Sequence, residues 1–266
     1  MNHLLRSHAP ITDIAWSRLD SEGRERLVPA LGARKLVDFS GPLGWTYSAT
    51  NLGRLSEVKA PGENLRARLR RVLPVVELRA PFALSRHELM DADRGAEDLD
   101  LTELDAAARR IAVAENTAVF HGWAEAGIVG ITGATVHEPV TLGSDYARYP
   151  GHVAKAVETL LETGVSGPYG LALGPKEYTG VVETTEHGGL VVLDHLRQIL
   201  GGPIVWAPGV AGAVVVSLRG GDFLFESGQD LSLGYSHHDA DNAHLYLEES
   251  FTFRVVTPEA AVALSS

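Results

Sequence analysis

The densest run of side chains able to do chemistry is Ser236-His237-His238-Asp239-Ala240-Asp241. Imidazoles and carboxylates are metal ligands. Adjacent ligands in a polar turn point in different directions, however, and no third partner stands at a ligand spacing, so the run reads as a solvated loop. The competing expectation is a small metal-dependent hydrolase using His237, His238 and Asp239. It predicts a monomer or small oligomer with stoichiometric metal, inactivated by His238→Ala. His187 and His195 could meet across a helix turn, but nothing in the sequence activates them. Gly127, Gly130 and Gly133 give GxxGxxG, without the spacing of a dinucleotide loop. His121 beside Trp123 reads as a helix residue near a core. HExxH, GxSxG and GxxxxGK[ST] are all missing, so sequence alone supplies no active site.

The composition narrows the classes further. The 266 residues include 34 acidic and 23 basic side chains, for a formal net charge of −11, and no cysteine. Such a chain is repelled by nucleic acid unless its basic residues are segregated on one face. Disulfides, thiolate chemistry and cysteine–zinc sites are excluded, which suits a reducing compartment. The opening MNHLLRSHAP lacks the apolar stretch of a secretory signal. No run approaches the ~20 apolar residues needed to cross a bilayer.

The elements that must position any site follow from periodicity. Ile11, Ala15, Leu19, Leu27 and Leu31 recur as an amphipathic stripe with Trp16 beside it, predicting a helix over 11–31 that Gly23 and Pro29 weaken or bend. Arg34–Phe39 and Trp45–Thr50 read as short strands. Residues 55–84 read as long extended stretches around a turn at Ala60–Asn64, with Arg66, Arg68, Arg70 and Arg71 interleaved with apolar residues. A long two-stranded arm exposes its edges and needs a cover, from this chain or from a neighbouring subunit. Thr102 and Asp105 have capping-box spacing and open the longest predicted helix, 102–126, stopped by Gly127. Helices then alternate with strands: helices at 153–162, from Pro175 and at 190–200, and strands at 169–173, 204–207 and 213–218. Arg219–Tyr235, His244–Arg254 and the end of the chain around 260–264 are β-rich. The pattern is α+β, in one interlocked unit.

The string RGGDFLFESGQDLSLGY (Arg219–Tyr235), with ESFTFRVVTPEAAVAL (Glu249–Leu264), resembles the C-terminal half of the encapsulin, or linocin-like, shell proteins. ARKLVDFSGPLGW (Ala33–Trp45), LRAPFALSRHEL (Leu78–Leu89) and VFHGWAEAGIVGI (Val119–Ile131) extend the likeness over nearly the whole chain. The resemblance implies the major-capsid fold of tailed bacteriophages, with a peripheral lobe, an axial lobe and an extended loop reaching onto a neighbour. It divides the chain into an N-terminal helix and start of the peripheral lobe (1–45), the extended loop (46–84), the spine-helix region (85–133), the axial lobe (134–221) and a return to the peripheral lobe (222–266).

The same resemblance implies a non-catalytic shell protein that assembles with copies of itself into a hollow icosahedral cytoplasmic compartment. Without evident insertions the smallest shell is expected, about 60 copies. The implied cargo is a ferritin-like protein or a dye-decolourising peroxidase carrying a C-terminal targeting peptide. Its dock is carried over onto Arg34, Asp38 and Phe39, with Leu231, Ser232 and Leu233 opposite: an apolar groove with a cation and a carboxylate to fix register. The loop Glu183-Thr184-Thr185-Glu186-His187-Gly188-Gly189 matches the five-fold pore loop, where a glutamate repeated around an axis admits cations. No metal and no cofactor are expected. Some relatives stack a flavin on a tryptophan where this chain has His87, and although Arg79 could still meet a phosphate, no flavin is predicted. Neither nucleic acid nor membrane is an expected partner. The alternative on the same fold is a virus or prophage capsid protein that packages DNA, against which the net charge counts.

Overall fold

The computed structural model describes residues 3–186 and 189–265. In chain order the elements are α1 (Asp13–Ala30), β1 (Asp38–Ser40), β2 (Ala49–Val58), β3 (Ala67–Pro74), β4 (Val76–Ser85), α2 (Arg86–Asp93), α3 (Thr102–Phe120), α4 (Ile131–Ala134) and β5 (Val140–Thr141). There follow α5 (Tyr149–Glu162), β6 (Tyr169–Leu173), α6 (Pro175–Glu183), α7 (Val192–Leu200), β7 (Ile204–Trp206), β8 (Ala213–Ser217), β9 (Phe223–Ser227), β10 (Ser232–His238), β11 (Asn242–Val255) and β12 (Ala261–Ser265).

Two sheets organise two cores. In the first, β11 is central, pairing antiparallel with β10, β4 and β9, while β1 adds parallel to β9. The helices α1 and α3 cover one face of it, burying Leu19, Leu104 and Ile111 against Phe82, Leu233 and Leu247. The second sheet runs β5-β12-β8-β6-β7 and packs against α5, α6 and α7. Its β6 and β8 are buried along their full length, as expected for strands covered on both faces. Phe223, Phe225, Phe251 and Phe253 extend this second core onto the first sheet, so that sheet takes part in both cores. The last strand, β12, lies between β8 and β5, so the return of the chain after residue 222 ends in the second lobe.

The third sheet is the projecting hairpin β2–β3. Leu55, Leu65, Leu69 and Val72 on it are all more than half exposed. The arm is shorter than the extended stretch read from the sequence. Val75 closes its base by donating to the Ser48 carbonyl, and β4 then leaves to pair with β11 from Val76↔Phe251 to Ser85↔Asn242. The alternation of Ala80, Phe82 and Leu84 explains the departure, because it lays one face of β4 on the core.

Both ends of the long helix differ from expectation. Thr102 donates its backbone N–H and its hydroxyl to Asp100 instead of forming a capping box, and these hydrogen bonds hold the Asp100 carboxyl below its usual pKa. At the other end α3 stops at Phe120, short of Gly127. There Gly122 takes φ 93° and its backbone lies against Val129, where a Cβ would come within 2.3 Å of the Val129 carbonyl oxygen. Only glycine permits that approach, and a helix cannot pass through it.

Candidate functional site

The groove anticipated between the N-terminal helix and the strands is present as a cleft of about 450 Å3 between α1 and β10. Thr12 starts α1 by accepting a hydrogen bond from the Ala15 N–H at 3.2 Å. The helix then buries Ala15, Leu19, Gly23, Leu27 and Ala30, four residues apart with one three-residue step. Gly23 faces Leu233, with room for ordinary contact between helix and strand at this point. Leu231, Ser232 and Leu233 form the opposite wall, and Val28, 56% exposed, stands at the rim. Arg6 pairs with Asp20 at 2.8 Å at one end. Arg24 also lines the cleft and has no ion-pair partner among the described residues.

Arg34 lies at the other end, in a short 3-10 turn after α1. Asn116 on α3 builds that turn: its amide donates to the Ala30 and Pro208 carbonyls at 2.8 and 2.9 Å, and its carbonyl accepts from the Ala33 N–H at 2.9 Å. The Arg34 guanidinium then meets three carboxylates, Glu115 at 2.7 Å, Asp230 at 2.6 Å and Glu249 at 2.9 Å. Burial alone would lower its pKa, but attraction to Glu115 and the other carboxylates raises it well above the ordinary arginine value. The same guanidinium stacks on the rings of Phe39 and Phe225.

The six residues expected at the dock therefore divide. Arg34, Leu231, Ser232 and Leu233 line one cleft. Phe39 reaches it only through its ring contact with Arg34, and it stacks on Phe225 at 5.4 Å. Asp38 accepts from the Gly221 N–H at 2.7 Å and so fastens the turn between β8 and β9. Of the wall contributed by α1 (Gly23, Leu27 and Val28), Leu27 carried a signal in the amphipathic stripe, whereas Val28, Glu115, Asn116 and Glu249 gave none.

The loop between α6 and α7 closes as a tight turn. Glu186 donates its N–H to the Leu190 carbonyl, and Thr185 forms a bridge with Val191. The Glu186 carboxylate pairs with His195 on α7 at 2.9 Å, while Glu183 and Thr184 end α6. His187 and Gly188 lie outside the described residues, and Gly189 closes the turn by donating to the Glu186 carbonyl at 3.0 Å.

The histidine-rich run is the end of β10 and the hairpin that follows. His237 stacks on His244 at 4.2 Å, His238 bonds the Tyr235 hydroxyl at 2.5 Å, and Asp239 pairs with His244 at 3.0 Å. The His244 hydrogen bond and the Asn242 and Asp241 N–H groups lower the Asp239 pKa to about 2. These groups are committed to one another, and among the described residues no three His, Asp or Glu side chains gather to hold a metal. His87 is exposed in the first turn of α2, and Arg79 pairs with Glu248 while lying 4.5 Å over the Tyr246 ring.

Residues 1–252 match the family described as "Encapsulating protein for peroxidase" (Linocin_M18). The chain is 48% identical over 270 residues to the type 1 encapsulin shell protein of Rhodospirillum rubrum, covering 99% of this chain and 96% of that one. It is 42% identical over 266 residues to the type 1 encapsulin shell protein of Mycolicibacterium paratuberculosis, with 100% of both covered. Among solved structures it is similar to a virus-like particle from Pyrococcus furiosus, with TM-score 0.63 and 18% identity over 94% of this chain and 99% of that one. It also resembles the capsid of an empty GTA particle, with TM-score 0.53 and 15% identity over 89% and 90% of the two chains. The fold is that of the phage capsids.

Proposed function

The chain belongs to the encapsulin shell protein family, and from that premise we propose that it builds a hollow icosahedral compartment around a cargo enzyme held in the cleft between α1 and β10. The shell is the smallest icosahedral one, about 60 copies. It lies in the cytoplasm, and the chemistry belongs to the cargo, a dye-decolourising peroxidase or a ferritin-like protein. A C-terminal peptide of the cargo lays apolar side chains against Leu27, Val28, Leu231 and Leu233, and meets Arg24, which has no ion-pair partner among the described residues. The observation that carries this reading is the cleft itself. Leu27 and Val28 on α1 and two leucines opposite line an apolar slot beside charged ends, the arrangement a short extended segment needs.

Around a five-fold axis the Glu183–Gly189 loops make a polar ring, and Glu186 favours the passage of cations. The reading includes no flavin on the shell, because an imidazole at His87 is a smaller stacking platform than an indole.

Shells produced together with a reporter fused to the C-terminal peptide of a candidate peroxidase or ferritin-like partner test the dock. Wild-type shells should retain the reporter, and Val28→Asp, at the exposed rim of the cleft, should form shells that lose it, because burying a valine contributes about 1.5–3 kcal/mol and a carboxylate there opposes it. Equal loading of the two would refute the dock.

A further inference from the structure

Beneath the cleft the numbers of charges and hydrogen-bonding groups do not match. Glu115 on α3 and Glu249 on β11 are 0% and 1% exposed, and both give their Oε2 atoms to Arg34. Their Oε1 atoms are buried and have no donor. Buried acceptors are rarely left without a partner, and two orphaned oxygens in one cluster are a specific anomaly. Both Oε2 atoms meet the same Arg34 Nη2 nitrogen, at 2.7 and 2.9 Å, which sets the two carboxyl groups side by side. A single proton between them satisfies both.

We propose that Glu115 and Glu249 share one proton at neutral pH, forming a buried acid pair that fixes Arg34 at the end of the cleft. Glu249 holds the proton and donates to Glu115, and both Oε2 atoms continue to accept from Arg34. Burial first, and then repulsion from Glu115, raise the Glu249 pKa well above the carboxylate range, with Arg34 opposing.

The charged groups facing Glu249 are Arg34 from the turn after α1, Glu115 from α3, and Asp230 from the turn between β9 and β10. From β4 the register partner of Glu249 is Leu78. Glu248, with Arg79 and His3, lies on the opposite face of the sheet. With the proton, the cluster has one cation against two anions. Without it, three carboxylates, two of them out of contact with water, compete for one guanidinium, and the seam between α3 and β11 loosens. Because Arg34 and Asp230 line the cleft, cargo affinity should fall as well, a consequence that rests on the cleft being the dock.

A carboxyl whose pKa is higher in the folded than in the unfolded chain binds its proton more tightly when folded. Its stabilising effect is therefore complete below the unfolded value and is lost as pH rises to the folded one, by about tenfold in the unfolding equilibrium per pH unit at most. Assembled wild-type and Glu249→Gln shells should be heated at a series of pH values from about 5 upward, where an ordinary glutamate has lost its proton. The glutamine keeps a donor toward Glu115 and does not titrate. The wild-type melting temperature should fall relative to the variant as pH rises, and a gap independent of pH overturns the proposal.

Infrared spectra of wild-type shells near neutral pH should also contain the C=O stretch of a buried protonated acid. A spectrum with ionised carboxylates alone overturns the acid pair, even if Glu249→Gln fails to assemble. If the protonated band is present and cargo retention does not change with pH, only the consequence for the cleft is lost.

Discussion

Arg34 makes ion pairs with three carboxylates from one planar group, and two of those carboxylates have almost no access to water. Removing one member of a buried ionic cluster leaves uncompensated charge, so Arg34→Ala should destabilise the subunit by about 3–5 kcal/mol. Denaturant unfolding of the purified protein would measure this, and a loss below about 1 kcal/mol would show that the cluster relaxes freely. Arg34→Lys should recover only part of the loss, because an ammonium cannot reproduce the fork that reaches three acceptors. Asn116→Ala should also weaken the fold, by about 1–3 kcal/mol for each buried group it orphans. Arg34 could be picked out in the sequence through family likeness, as a cation at the dock. Its partners could not, because they stand 81, 196 and 215 positions away in the chain. Periodicity registers apolar faces; it does not register a buried carboxylate whose partner comes from another element.

The elements follow local rules where the rules are local. The stripe on α1, the proline starting α6 and the turn glycines before β9 were all legible, because each depends on side chains within one or two turns of the backbone. The boundary between arm and sheet was not. β3 and β4 have similar β-rich composition, and only tertiary pairing with β11 separates them. The end of α3 was missed for a related reason, since Gly122 stops the helix through contact with Val129 across a loop. Gly122→Ala is therefore expected to lower the melting temperature markedly, whereas Gly95→Ala, at a positive φ with open space around it, should have a smaller effect. The arm offers the complementary test. Leu65 and Leu69 are exposed at 63% and 60%, so Leu65→Asp with Leu69→Asp should leave the circular dichroism of the subunit unchanged while reducing assembly. Normal assembly of that variant would remove these side chains from the contact between copies.

At the scale of the whole molecule, a shell protein must fold as one unit and still present surfaces that are complete only in its neighbours. The first sheet, which takes part in both cores, supplies the first property. The apolar side chains along β2 and β3 supply the second, since they are exposed in the single chain. The net charge of −11 keeps free subunits apart and slows association at low salt, so shell formation should speed up as salt screens that repulsion. Time-resolved light scattering of dissociated subunits at rising salt would show it, and a rate insensitive to salt would place the repulsion away from the contacts. The most direct test of the account is the size and shape of the protein produced alone, by light scattering and negative-stain microscopy. Uniform hollow spheres of megadalton mass are the predicted result. A monomer or dimer at near-physiological salt would contradict it.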